Sequence, residues 1–185
     1  GMYFNSIYIG GGSVSLTGNT YAFRSDQTNT RIYQNNIFVN ARSNGSGSGK
    51  HYAVRVAGTV PNPSGLTLNY NEYYVTGTGG VFGFFNSADV ASLAAWKTAV
   101  GQDANSLNSD PKFNSATAAT PNLHLTTGSP CEAAGLAVGS VSDDFDGETR
   151  SGLTPTDIGA DAGDYADAGT DMAPTALVAP IASGC

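Results

Sequence analysis

The chain has 185 residues, a formal net charge of −7, 12 % charged residues and 24 glycines, with nine Tyr and eight Phe. That is one domain's worth of turn-rich chain, with enough aromatic surface to bury a core and so unlike a disordered segment. The acidic balance excludes a general nucleic-acid binder, whose phosphate contacts need a basic footprint, and no run of 18 apolar residues marks a membrane span or a signal peptide.

Residues 2–9, MYFNSIYI, open the chain as a short strand unit, and Gly10-Gly11-Gly12 turns out of it. Tyr21-Ala22-Phe23-Arg24 continues the unit before a polar loop at 25–30. The unit then recurs. Ile32 to Val39 aligns with Met2 to Ile9 at an offset of 30, and Leu68 to Val75 follows at 36. This places Asn5, Asn35 and Asn71 in one column. It also places Tyr8, Phe38 and Tyr74 in a second, and Tyr3 and Tyr33 in a third. The other strand recurs as well: Tyr52-Ala53-Val54-Arg55 lies 31 residues after Tyr21-Ala22-Phe23-Arg24, and Phe82-Gly83-Phe84-Phe85 a further 30 on, with Phe85 in place of the arginine. A self-similar unit of this length predicts a stacked array in which parallel strands pair from unit to unit. Asn suits the left-handed bend between strands, and stacked Asn amides form a ladder.

Between the second and third units lie the flexible loop Asn44 to Gly49 and the turn Pro61-Asn62-Pro63-Ser64-Gly65. Ser87 to Val100 then reads as a helix with Ser87 as N-cap, Asp89 in its first turn and Gly101 as its stop. Trp96 packs that helix onto the strands. Asp110-Pro111 begins a further unit with Phe113 inward, and Leu123-His124-Leu125 alternates as a strand, His124 being read as structural. From Gly135 the chain is rich in Gly and Asp and is expected to cap the C-terminal end of the array, with the acidic series Asp157, Asp161, Asp164, Asp167 and Asp171 solvated. Cys131 reads as a small core filler, and a bridge to Cys185 is not set by spacing.

Taken together, the repeats and the later runs resemble right-handed parallel β-helix proteins, the fold of pectate lyases and chondroitinase-like polysaccharide lyases. The later runs are Ala94-Ala95-Trp96, Gly101 to Ser106, Asp110-Pro111-Lys112-Phe113, Gly128-Ser129-Pro130, Asp144-Phe145-Asp146-Gly147 and Asp157-Ile158-Gly159-Ala160. The resemblance spans roughly residues 1–165. It implies an all-β fold, a right-handed parallel β-helix (solenoid) of about four coils with one flank helix and a C-terminal cap. It further implies a secreted or cell-surface bacterial setting, with 166–185 as a linker toward a further domain. The first unit begins without a polar cap, so end-to-end homodimerisation or a preceding stretch of β-helix is expected.

A lyase needs a base, a cation to neutralise the uronate carboxylate, and an acid. Arg24 and Arg55, stacked about 4.8 Å apart, are the candidate catalytic pair, with Lys50 and His51 beside the second. Tyr21, Tyr52, Arg24 and Arg55 are the candidate substrate-binding residues for a polysaccharide. Pairing of the arginines with Asp26 is the competing reading, and the missing third arginine weakens catalysis. Asp144, Asp146 and Glu148 around Gly147 resemble the start of a calcium loop, although no closing Glu follows. The expected function is thus a non-catalytic scaffold or carbohydrate-binding portion of a larger protein. A polysaccharide lyase or glycoside hydrolase, and a structural adhesin stalk, are the alternatives.

Overall fold

The structure, a computed structural model, describes residues 1–152 and 155–165. It is mostly β, arranged in several small sheets. Nine strands come from three successive units: β1 (Met2–Tyr3), β2 (Ser6–Ile9) and β3 (Thr20–Ser25); β4 (Arg31–Gln34), β5 (Ile37–Asn40) and β6 (His51–Val56); β7 (Leu66–Asn69), β8 (Glu72–Val75) and β9 (Gly80–Phe85). Each unit gives one strand to each of three sheets, ordered β1-β4-β7, β2-β5-β8 and β3-β6-β9. Every one of these pairings is parallel.

The register corrects the expected columns. Ser6 pairs with Ile37 and Ile37 with Glu72, so Asn36, not Asn35, stands between Asn5 and Asn71. The amide ladder exists there: Asn5 Nδ2 donates to Asn36 Oδ1 at 2.9 Å, and Asn36 Nδ2 donates to Asn71 Oδ1 at 3.1 Å. The two acceptor oxygens also take the backbone N–H of Asn5 and Asn36. The left-handed bend belongs to the column just before, where Phe4, Asn35 and Tyr70 have φ of 54°, 58° and 55°. The two roles expected of one Asn column are therefore carried by two adjacent columns. The aromatic columns shift likewise. Ile7, Phe38 and Tyr73 share one column, Tyr8, Val39 and Tyr74 another, and Met2, Tyr33 and Leu68 a third.

Phe38 and Tyr73 are fully buried and stacked at 5.8 Å, and Phe23 stacks on Phe38 at 4.7 Å. They centre a core with Val54, Leu68, Phe82 and Trp96. Strand β5 is buried along its whole length, as its unbroken Ile37-Phe38-Val39 run suits. Phe38 faces this core, while Ile37 and Val39 face a second one with Leu125, Cys131 and Ile158.

At the β9 side the array is closed off. Asn86 and Ser87, both at positive φ, form a two-residue hairpin turn into β10 (Ala88–Val90), which pairs antiparallel with β9. The helix α1 (Leu93–Val100) therefore begins later than expected, with Ser92 as N-cap, and ends on the left-handed Gly101 as expected. Trp96 is fully buried, so it packs and does not stack on a ligand. Residues 101–109 run along β7 and β8 mainly through side chains. The Gln102 amide accepts from the Leu68 N–H at 2.6 Å and donates to the Leu66 carbonyl at 2.8 Å, as a neighbouring strand would. Buried Asp103 collects Trp96 Nε1 at 2.7 Å and the Tyr73 hydroxyl at 3.1 Å.

No further parallel unit starts at Asp110 among the described residues. Instead β11 (Phe113–Ser115) pairs antiparallel with β12 (Asn122–Leu125). The following chain does not cover the far end as expected but returns along the flank toward the first two units. Leu136 exchanges two hydrogen bonds with the Asn35 side chain, and the Ala160 N–H donates to Ser6 Oγ at 3.0 Å. Arg150 lies 4.1 Å above the Phe4 ring and donates to the Gly159 and Ala160 carbonyls. Asp157 and Asp161 are buried, against the expectation of a solvated series, because backbone N–H groups of 133, 163 and 125 bind them. Asp167, Asp171, Cys185 and the expected linker 166–185 lie outside the described residues. Cys131 is buried, and burial pushes its thiol well up.

Candidate functional site

Two places carry chemistry. The first is the outer face of β3, β6 and β9. Register stacks Tyr21 on Tyr52 and Arg24 on Arg55, as the 31-residue offset predicts. Arg55 is followed by Phe84, where Phe85 was expected to replace the arginine, and Phe85 itself turns into the core. The two tyrosine rings lie parallel at 5.1 Å. The Arg24 and Arg55 guanidinium groups lie 5.4 and 5.7 Å from the Tyr21 centroid, and Arg55 sits 5.2 Å from Phe84. Asp26 holds both cations, at 2.6 Å from Arg24 and 3.2 Å from Arg55. Its hydrogen bond with Arg24 draws the Asp26 carboxyl below its usual range and lifts the Arg24 guanidinium. Two cations share one carboxylate, so a net positive charge remains beside the aromatic rings.

The other proposed members of this group are engaged elsewhere. Tyr52 is 1 % exposed, and its hydroxyl donates to Asp89 Oδ1 at 2.8 Å. It supports Tyr21 from below and has no face free for a ligand. Lys50 pairs with the other Asp89 oxygen, so Asp89 serves this face and not a helix terminus. His51 is fully buried, its ring bonded to Thr20 Oγ1 at 2.9 Å and Asn44 Oδ1 at 3.0 Å. Burial holds its pKa below the ordinary value. It is removed from the arginines because Thr20 and Asn44 hold its ring in the interior. Arg24, Arg55, Lys50 and His51 thus do not converge on one point.

The second place is a cleft of about 600 Å³ beside β12, lined by Ser6, Ser115, Thr120, Asn122, Phe145 and Asp161 among others. Asp144, Asp146 and Glu148, read as a calcium loop, do not converge here. Asp144 is occupied as a turn cap, taking the N–H groups of Asp146, Glu148 and Ala162 at 2.9, 2.8 and 3.1 Å. Asp146 instead turns to His124, 2.6 Å from Nε2. This hydrogen bond raises the imidazole pKa, with Asp161 and Asp144 adding to it. Asp161 comes from a third segment and completes a group whose ligand atoms lie within 4.8 Å of one another. His124, expected to be structural, is paired with Asp146 beside this cleft. The signal available was its strand alternation, which turns it away from Leu125 and toward the Asp146 turn. Phe145, 79 % exposed, projects at the cleft rim.

Neither a family model, nor a curated protein, nor a solved structure matches the chain. No helix among the described residues is long and apolar enough to cross a membrane.

Proposed function

We propose that the three parallel sheets are the faces of a short right-handed parallel β-helix, and that this portion of a secreted or surface protein binds acidic polysaccharide without breaking it. The strand register and the Asn5–Asn36–Asn71 ladder support the β-helix. The binding role rests on one observation. The outer face of β3, β6 and β9 sets Tyr21 and Phe84 beside two guanidinium groups that share a single carboxylate. An aromatic face takes the C–H surface of a sugar ring, and the surplus positive charge takes its carboxylate. Catalysis is disfavoured because Lys50 is ion-paired and His51 is buried, which leaves no free base next to the arginines.

The test is affinity electrophoresis of the 185-residue chain through gels containing neutral or acidic polysaccharides, with the absorbance of unsaturated uronate ends followed in parallel. Retardation by acidic polymers is expected, with no absorbance change. Arg55→Ala and Tyr21→Ala should each weaken it about fivefold or more, in line with the loss of one charge-assisted or stacking contact. Absorbance that rises with wild type and vanishes in Arg55→Ala would make the protein a lyase. No retardation by any polymer would leave a scaffold or adhesin stalk.

A further inference from the structure

We propose that His124, Asp146 and Asp161 form a site for a divalent transition-metal ion, Zn²⁺ in first place, with its open coordination positions facing the cleft. The site is separate from the arginine face and stands or falls independently of polysaccharide binding.

The donor atoms come from three segments: β12, the turn at 144–147 and the returning chain at 161. They lie within 4.8 Å of one another. A tetrahedral ion with bonds of about 2.0 Å needs its donors about 3.3 Å apart. His124 Nε2 and Asp146 Oδ2, now at 2.6 Å with a proton between them, separate slightly when the ion replaces that proton. Asp146 sits on an exposed turn and can make this adjustment.

Two of the three donors are already oriented as metal ligands usually are. The Asn122 side-chain oxygen accepts the His124 backbone N–H at 2.9 Å, which fixes it as an acceptor. The same oxygen faces His124 Nδ1. Nδ1 therefore carries the proton, and Nε2 is the nitrogen left to bind a metal. Buried Asp161 is anchored through Oδ2 by the Leu125 N–H and the Tyr165 hydroxyl, each at 2.7 Å. It also lines the cleft. One imidazole with two carboxylates suits Zn²⁺, whereas Ca²⁺ seeks six to eight oxygens and gains nothing from nitrogen. Asp144, whose carboxylate is saturated by backbone donors, stays outside the site. With three protein ligands, the ion keeps a position for an oxygen ligand entering beside Phe145 and Thr120.

The experiment is isothermal titration of ZnCl₂ into the chelator-stripped 185-residue chain carrying Cys185→Ser, so that a terminal thiol is not counted. Metal content after dialysis is measured alongside. One Zn²⁺ per chain is expected, with Ca²⁺ at about 1 mM failing to compete. His124→Gln and Asp146→Asn should each lower affinity about 20-fold or more, while the metal-free melting temperature stays unchanged. The chain's only other histidine, His51, is buried, so a His124 variant removes the one imidazole in reach of solvent. If His124→Gln does not fold, Asp146→Asn on the exposed turn carries the test. No heat or retained metal at about 100 µM Zn²⁺, or binding unchanged in the folded variants, overturns the site.

Discussion

Glu72 is a carboxylic acid placed where a strand residue should be apolar. It is fully buried at the start of β8, with Oε1 taking the Ser109 N–H at 2.7 Å and Oε2 3.2 Å from Ser109 Oγ. Burial raises its pKa from 4.5 to about 8, against the lowering effect of the Ser109 hydrogen bonds. The sign follows from linkage. Below pH 4.5 the acid is neutral in folded and unfolded chains alike. Between 4.5 and about 8 the unfolded chain releases the proton while the folded chain keeps it, so stability falls with rising pH, and above about 8 the loss is complete. At about 1.4 kcal/mol per pH unit over that interval, the loss reaches about 5 kcal/mol, comparable with the whole stability of a marginal domain. Glu72→Gln keeps the shape and the oxygen acceptor for Ser109, and its amide can donate to Ser109 Oγ. The variant should match wild type at pH 4 and exceed it at pH 9 by several kcal/mol, or about 10 °C in melting temperature. The assay is urea denaturation of both proteins at pH 4, 5.5, 7 and 9, taking the difference so that other titrating groups cancel. Parallel stability curves across that range would refute the argument.

Asn36→Ala removes the middle rung of the ladder and takes away the acceptor shared by the Asn5 backbone N–H and side-chain amide. A loss of about 3 kcal/mol is expected by urea denaturation, and Asn35→Gly, which keeps the left-handed backbone but gives up both Leu136 hydrogen bonds, should cost about 2 kcal/mol. Gly83→Ala would bring a methyl carbon to 2.8 Å from the Trp96 ring. It should cost about 2 kcal/mol and shift the fluorescence of this single tryptophan. Asp26→Asn releases both arginines from their shared carboxylate, so retardation by acidic polysaccharide should increase and become more salt-sensitive.

The repeat itself was legible because its strands are short, apolar and bounded by Asn and Gly. The register was only half legible. Tyr21/Tyr52 and Arg24/Arg55 show the 31-residue offset that the first two units share throughout. An offset of 30 for the Asn strand put Asn35 where Asn36 belongs, and a one-residue slip exchanges the faces of every side chain. Between the second and third units the offset is 35 for two strands and 29 for the last, because the loops between them differ in length. The hairpin at Asn86-Ser87 was hidden by the alanine-rich stretch after it, which reads as helix over more residues than α1 contains. The His124 group was beyond sequence reasoning. It joins residues 22 and 37 positions apart through a returning segment with no periodicity. The arginine face was legible down to its Asp26 partner, while the burial of Tyr52 and His51 depended on what packs above and below them.

The Gln102 amide, imitating the edge of a strand beside β7, has a consequence for assembly. It occupies hydrogen-bonding positions through which another molecule would extend that sheet, while Leu107 bridges to Glu72 on β8 and β10 pairs with β9. Among the described residues, β1, β2 and β3 remain at the other border of their sheets. Strand addition beside β7 would first have to displace the Gln102 amide, whereas β10 is itself the last strand of its sheet among the described residues.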